Sequence, residues 1–103
     1  MMGLVVRFTV RPESATAFDE LLASELAGIR AHEPGTLVYA VGTDQSEPGV
    51  VTLLEVYRDR AAFEAHEDQP HTRHFLASRD QHLAAPTEVR WLDVAEMAAG
   101  PTG

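Results

Sequence analysis

Two consecutive stretches, Thr36 to Val41 and Val50 to Tyr57, are apolar on both of their faces, and this restricts the fold more than any other feature of the sequence. Leu37, Tyr39 and Val41 alternate with Val38 and Ala40, while Leu53 alternates with Val50, Leu54 and Val56. A sheet with one solvated face alternates apolar with polar residues, so strands of this kind need cover on both sides. The polar segment between them, Gly42 to Gly49, carries glycine and proline and reads as a hairpin loop, which pairs the two strands antiparallel.

The other elements follow from periodicity and punctuation. Leu4 to Val10 alternates, with Val6, Phe8 and Val10 on one face. Arg11-Pro12-Glu13-Ser14 supplies a turn and a candidate cap, and Phe18, Leu21, Leu22, Glu25, Leu26 and Ile29 then recur at helical spacing, which predicts a helix from about Ser14 to His32. Glu33-Pro34-Gly35 ends it, because proline breaks the hydrogen-bond ladder and glycine accepts a tight exit. Asp59 is placed to cap a short helix through Arg60 to His66; Gln69-Pro70 interrupts it, and a second helical stretch runs from His71 to about Leu83. Ala85-Pro86 closes that stretch, and Thr87 to Val94 forms a fourth strand with Val89 and Trp91 on one face.

The order βαββαβ in 103 residues predicts one α+β domain, a ferredoxin-like sandwich over residues 1–94, with a small-residue tail over 95–103. One helical layer covers only one side of such a sheet. The other side is expected to meet a second copy of the chain, giving a homodimer.

Charge and composition exclude several roles. Sixteen acidic residues against eight Lys plus Arg give a net charge of -8, so nucleic acid and anionic membrane surfaces are not expected partners. The chain has no cysteine, which removes disulfides and thiolate chemistry. The first ten residues lack a long apolar core and a cleavage pattern, so a cytoplasmic location is expected. No glycine-rich dinucleotide fingerprint, phosphate-binding loop or G-x-S-x-G elbow is present.

The unusual local feature is the histidines. Of His32, His66, His71, His74 and His82, four fall within the interrupted helix. His66 lies three residues after Phe63 and four after Ala62, on the side that faces the sheet, and His71 lies four before Phe75. Both are expected to face an apolar cavity, either as packed imidazoles with one hydrogen bond each or as proton-handling groups. His74 and His82 are expected to face water, beside Arg73, Arg79 and Asp80. No metal is expected: Pro70 breaks the helical repeat between His66 and His71, and His66-Glu67 does not continue into an H-E-x-x-H pattern.

Glu55 shares a strand face with Val51, Leu53 and Tyr57, so a carboxylate sits in an otherwise apolar row. It is either a base or orienting acceptor for a histidine, or one half of an ion pair with Arg7, Arg58 or Arg90. Tyr39 and Trp91 are placed either to sandwich a flat ligand or to fill the core.

Glu33-Pro34-Gly35 followed by Tyr39, the run Leu54-Glu55-Val56-Tyr57-Arg58-Asp59-Arg60-Ala61-Ala62-Phe63-Glu64-Ala65-His66, and then Pro70-His71 and Phe75 resemble the antibiotic biosynthesis monooxygenase family over about residues 3–94. The resemblance implies a homodimer whose two sheets pack into a dimeric α+β barrel. It also implies oxygenation of an electron-rich aromatic, a polyketide anthrone or a quinol, to a quinone with dioxygen and without metal, flavin or other cofactor. On that footing His66, His71 and Glu55 are the catalytic candidates, and Tyr39, Tyr57, Phe75 and Trp91 bind the small aromatic substrate. Haem-degrading relatives on the same fold fit poorly, since the chain contains no Asn and Leu76 stands near the expected ligand position. Phosphosugar-isomerising relatives fit poorly for want of a basic phosphate cradle. The competing expectation is a non-catalytic dimeric ligand-binding or stress-associated module of the same fold.

Overall fold

The structure, a computed structural model, describes residues 1–102. Four strands and three helices follow one another as β1 (Met2–Thr9), α1 (Ala15–His32), β2 (Thr36–Thr43), β3 (Val50–Tyr57), α2 (Arg60–Glu67), α3 (Pro70–Ser78) and β4 (Glu88–Asp93). Short 3₁₀ turns lie at Pro12–Ser14 and Asp80–His82. The strands form one antiparallel sheet in the order β2-β3-β1-β4. This is the α+β, ferredoxin-like arrangement that the order of elements predicts.

Register decides what each face carries. Leu4 lies between Glu55 and Trp91, Val6 between Leu53 and Val89, and Phe8 opposite Val51, so these side chains share the face under the helices. Phe8 there meets Phe18 of α1 and Phe75 of α3, with ring centroids 5.2 and 6.0 Å away, and the three rings anchor the core at one end. Tyr39 reaches the same face opposite Glu55. The opposite face carries Val5, Val38, Ala40, Leu54, Val56 and Leu92, and Leu54 and Leu92 remain 43% and 42% exposed. The chain's own helices leave that face open.

Three local expectations change. Ser14 makes no side-chain cap, because the 3₁₀ turn Pro12–Ser14 already feeds the chain into α1 and Ser14 N donates to Arg11 O. Gly35 has no left-handed exit to serve; a Cβ there would come within 2.6 Å of Ala62 Cβ, so glycine lets the start of β2 pass against α2. The β2–β3 register slips between Thr36 and Val38, which makes Leu37 the extra residue of a bulge and leaves it exposed instead of aligned with Tyr39. Asp59 does cap α2, accepting from Ala62 N at 2.8 Å, and Pro70 opens α3 at its first turn, where a missing N–H costs nothing.

Candidate functional site

A cavity of 170 Å³ lies between the covered face of the sheet and helices α1, α2 and α3. The sheet supplies Leu4, Val6, Leu53, Tyr39, Glu55, Val89 and Trp91, and the helices supply Glu25, Phe63, His66, Thr72 and Phe75, with Arg79 just beyond α3. Most of this wall is apolar or aromatic. Trp91, 58% exposed on the edge strand β4, stands edge-on to Phe63 with ring centroids 5.4 Å apart and forms the outer rim.

His66 is buried in the cavity wall through the helical phase that sets it with Ala62 and Phe63. Its ring lies 5.1 Å from that of Tyr57 and 5.8 Å from that of Tyr39. Nδ1 donates to Glu33 Oε1 at 2.6 Å, and Thr72 Oγ1 lies 3.5 Å from the same nitrogen. Nε2, the other ring nitrogen, has no hydrogen-bond partner among the described residues.

His71 does not line the cavity. It points inward, as its distance from Phe75 predicts, but into the seam between α1 and α3, where Nε2 donates to Glu33 Oε2 and the ring stacks at 6.3 Å on His32. Room for it exists because residue 28 is glycine: a Cβ there would lie 2.2 Å from His71 Cγ. His74 is exposed, as expected, whereas His82 is half-buried with its ring edge-on to Phe18 at 6.4 Å.

Glu55 lies in the cavity wall with neither of its expected partners. Its carboxylate accepts from Tyr57 Oη at 2.5 Å, while Arg7 pairs with Glu47 and Glu88, and Arg58 with Asp59. Burial pushes the Glu55 carboxyl above the usual carboxylate range, against the opposing pull of the Tyr57 hydrogen bond. Burial, with the Glu55 charge next in weight, also pushes the Tyr39 and Tyr57 hydroxyls far up, so both stay protonated donors. Tyr57 is fully buried behind Glu55 and touches no cavity space; Tyr39, Phe75 and Trp91 do.

Sequence reasoning passed over four polar residues of this region. Glu25 falls on the apolar stripe of α1 with Phe18, Leu22 and Ile29, and a carboxylate in that phase was the available signal. It is buried, accepts from Thr72 Oγ1 at 3.0 and 3.2 Å, and burial raises its pKa. Glu33 reads as part of a helix stop, yet it receives Nδ1–H of His66, the hydroxyl of Thr36 at 2.8 Å and His71. Thr72 ties Glu25 to the His66 side of the site, its hydroxyl donating to Glu25 and lying 3.5 Å from His66 Nδ1. Arg79 brings a guanidinium to the cavity, 5.6 Å above the Phe8 ring, and its buried Nε has no hydrogen-bond partner. Among the described residues no group of three or more acidic or histidine side chains is disposed to hold a metal ion, and no helix is long and apolar enough to cross a membrane.

A family model described as antibiotic biosynthesis monooxygenase matches residues 1–78. An uncharacterised protein of Synechocystis sp. is 30% identical over 84% of this chain, which spans only 58% of that relative's length. A protein of Mycobacterium tuberculosis with a provisional monooxygenase name is 30% identical over 85% of both chains. Solved structures similar to this chain include one from Caulobacter crescentus, provisionally named an antibiotic biosynthesis monooxygenase, with TM-score 0.87 and 28% identity over 92% of this chain and 90% of that one. A solved structure from M. tuberculosis gives TM-score 0.86 at 28% identity, covering 95% and 98% of the two chains.

Proposed function

Because the chain belongs to the antibiotic biosynthesis monooxygenase family, we propose that it is a cofactor-independent oxygenase converting a small quinol to a quinone. The observation that carries this reading is His66: a buried imidazole in the wall of an aromatic-lined cavity, with Nδ1 occupied by a carboxylate and Nε2 free. An electron-rich phenol reacts with dioxygen once it is deprotonated, so the protein has to bind the ring, take a proton and keep water out. The hydroxyl proton passes to His66 Nε2, the phenolate lies beside the Arg79 guanidinium, and Tyr39, Phe75 and Trp91 hold the ring. Hydroquinone and dioxygen then give a hydroxyquinone and water, one oxygen atom bonding to the ring and the other leaving as water.

Size selects among the aromatics. A cavity of about 150 Å³ holds one benzene ring. At 170 Å³ the present one suits a one-ring quinol, and a bicyclic quinol or a three-ring anthrone enters only if the Trp91 rim moves outward. The protein acts as a homodimer through its open sheet face, a proposal supported by the exposed Leu54 and Leu92.

The test is oxygen uptake by chelator-treated protein with a panel of mono- and bicyclic quinols. The expected result is one dioxygen consumed per quinone formed, with His66→Ala slower by ~10²-fold or more. Tight binding of quinols without any oxygen uptake overturns the reading in favour of a non-catalytic binding module.

A further inference from the structure

Glu33 is buried at the end of α1, with only 4% of its side chain exposed, and lies outside the cavity whose wall His66 forms. Three donors from three separate elements converge on it: His66 of α2, His71 of α3 and Thr36 of β2. One carboxylate with both oxygens engaged by histidines on two helices is more than a helix stop requires. We propose that Glu33 is the positioning residue of the site, holding His66 in its Nδ1–H tautomer so that Nε2 is the proton acceptor, and that His71 is the strut that holds Glu33.

This rests on His66 as the base, and the geometry gives each partner a distinct part. An imidazole whose Nδ1–H is tied to a carboxylate keeps its lone pair on Nε2, and its positive form is stabilised when a proton arrives. Thr36 and His71 fix Glu33 from the β2 side and from the α3 side, so the carboxylate cannot swing away with the incoming charge. Gly28 is part of the device, since any side chain at 28 would push His71 off Glu33. The groups that face the His66 ring from other elements are Glu25 through Thr72 of α3, and Tyr39, Glu55 and Tyr57 of the sheet. None of them contacts Nδ1 as closely as Glu33 does.

Nitrogen-15 NMR of the full chain reads the tautomer directly, without substrate. In the wild type with the His66 ring neutral, it is expected to show a protonated Nδ1 and an unprotonated Nε2, and Glu33→Gln is expected to shift that ring toward a mixture of tautomers. A protonated Nε2 in the wild type overturns the proposal, whatever the activity. With a quinol that turns over, Glu33→Gln is expected to lower kcat ~10²-fold or more with KM within threefold of wild type. His71→Ala and Gly28→Ala, which leave Glu33 itself in place, are expected to lower kcat about tenfold, again with KM little changed. Wild-type kcat in both of those variants removes His71 as the strut. If no quinol turns over but the tautomer is as stated, the oxygenase reading has failed and the positioning geometry stands.

Discussion

Two carboxyls under the helices, Glu25 and Glu55, have their pKa raised by burial above the unfolded value of 4.5. A group of this kind binds its proton more tightly in the folded state, so its contribution to stability is complete below pH 4.5 and is lost as pH rises through the folded value. Glu55→Gln removes the ionisation but keeps an acceptor for Tyr57 Oη. The variant should therefore gain stability relative to wild type as pH is raised from about 4.5, with the difference constant once Glu55 is ionised. Urea unfolding at pH 5 and pH 8 measures this, and equal differences at the two pH values would mean that burial does not disfavour the Glu55 anion. Tyr57→Phe acts oppositely: it strips Glu55 of its donor, leaves a buried acceptor unmade and should cost about 1–3 kcal/mol at neutral pH. At this scale the sequence displayed the anomalies but not all of their partners. Glu55 in an apolar row and His66 three residues after Phe63 are visible from period alone. The Glu55–Tyr57 pair spans only two residues on one strand face and was open to that same period, whereas Glu33 gathers two histidines through contacts across 33 and 38 residues of chain that no local pattern carries.

Elements were more legible than residues because their signals are local. The strand Val50–Tyr57 and the stop of α1 at His32 follow directly from alternation and from Pro34, and Asp59 caps α2 as its position before Arg60 requires. Asp59→Ala should cost about 1 kcal/mol, seen as a lowered urea midpoint with an unchanged slope. The features that escaped are those set by a neighbouring element. Gly28 sits in the interior of α1, where glycine costs about 1 kcal/mol relative to alanine, and the sequence offers no reason for it. The reason is His71 of α3, whose ring occupies the space of the missing Cβ. The bulge at Leu37 is likewise a product of pairing with β3, since alternation alone runs straight through it.

For the whole molecule, apolar patterning on both faces of β2 and β3 predicted a second cover, and the covered face is now accounted for by α1, α2 and α3. The open face carries Val5, Val38 and Ala40 beside the exposed Leu54 and Leu92, with Arg7 and Glu88 paired at 3.4 Å among them. Patches of this kind on a protomer of net charge -8 set two forces against each other when copies meet: apolar burial favours contact and like charge opposes it. Salt screens the second and leaves the first, so the proposed homodimer should tighten from 0.05 to 0.5 M sodium chloride, whereas a dimer held by ion pairs should loosen. Leu54→Glu places a charge at the centre of the sheet, on the central strand β3, while its side chain in the free protomer stays in water. The expected result by analytical ultracentrifugation is a monomer with an unchanged far-ultraviolet spectrum. A variant that still sediments as a dimer would move the interface off the sheet. Because the cavity opens on the other face, beneath the helices and beside Trp91, separating the two sheets should leave quinol affinity within a few-fold of wild type.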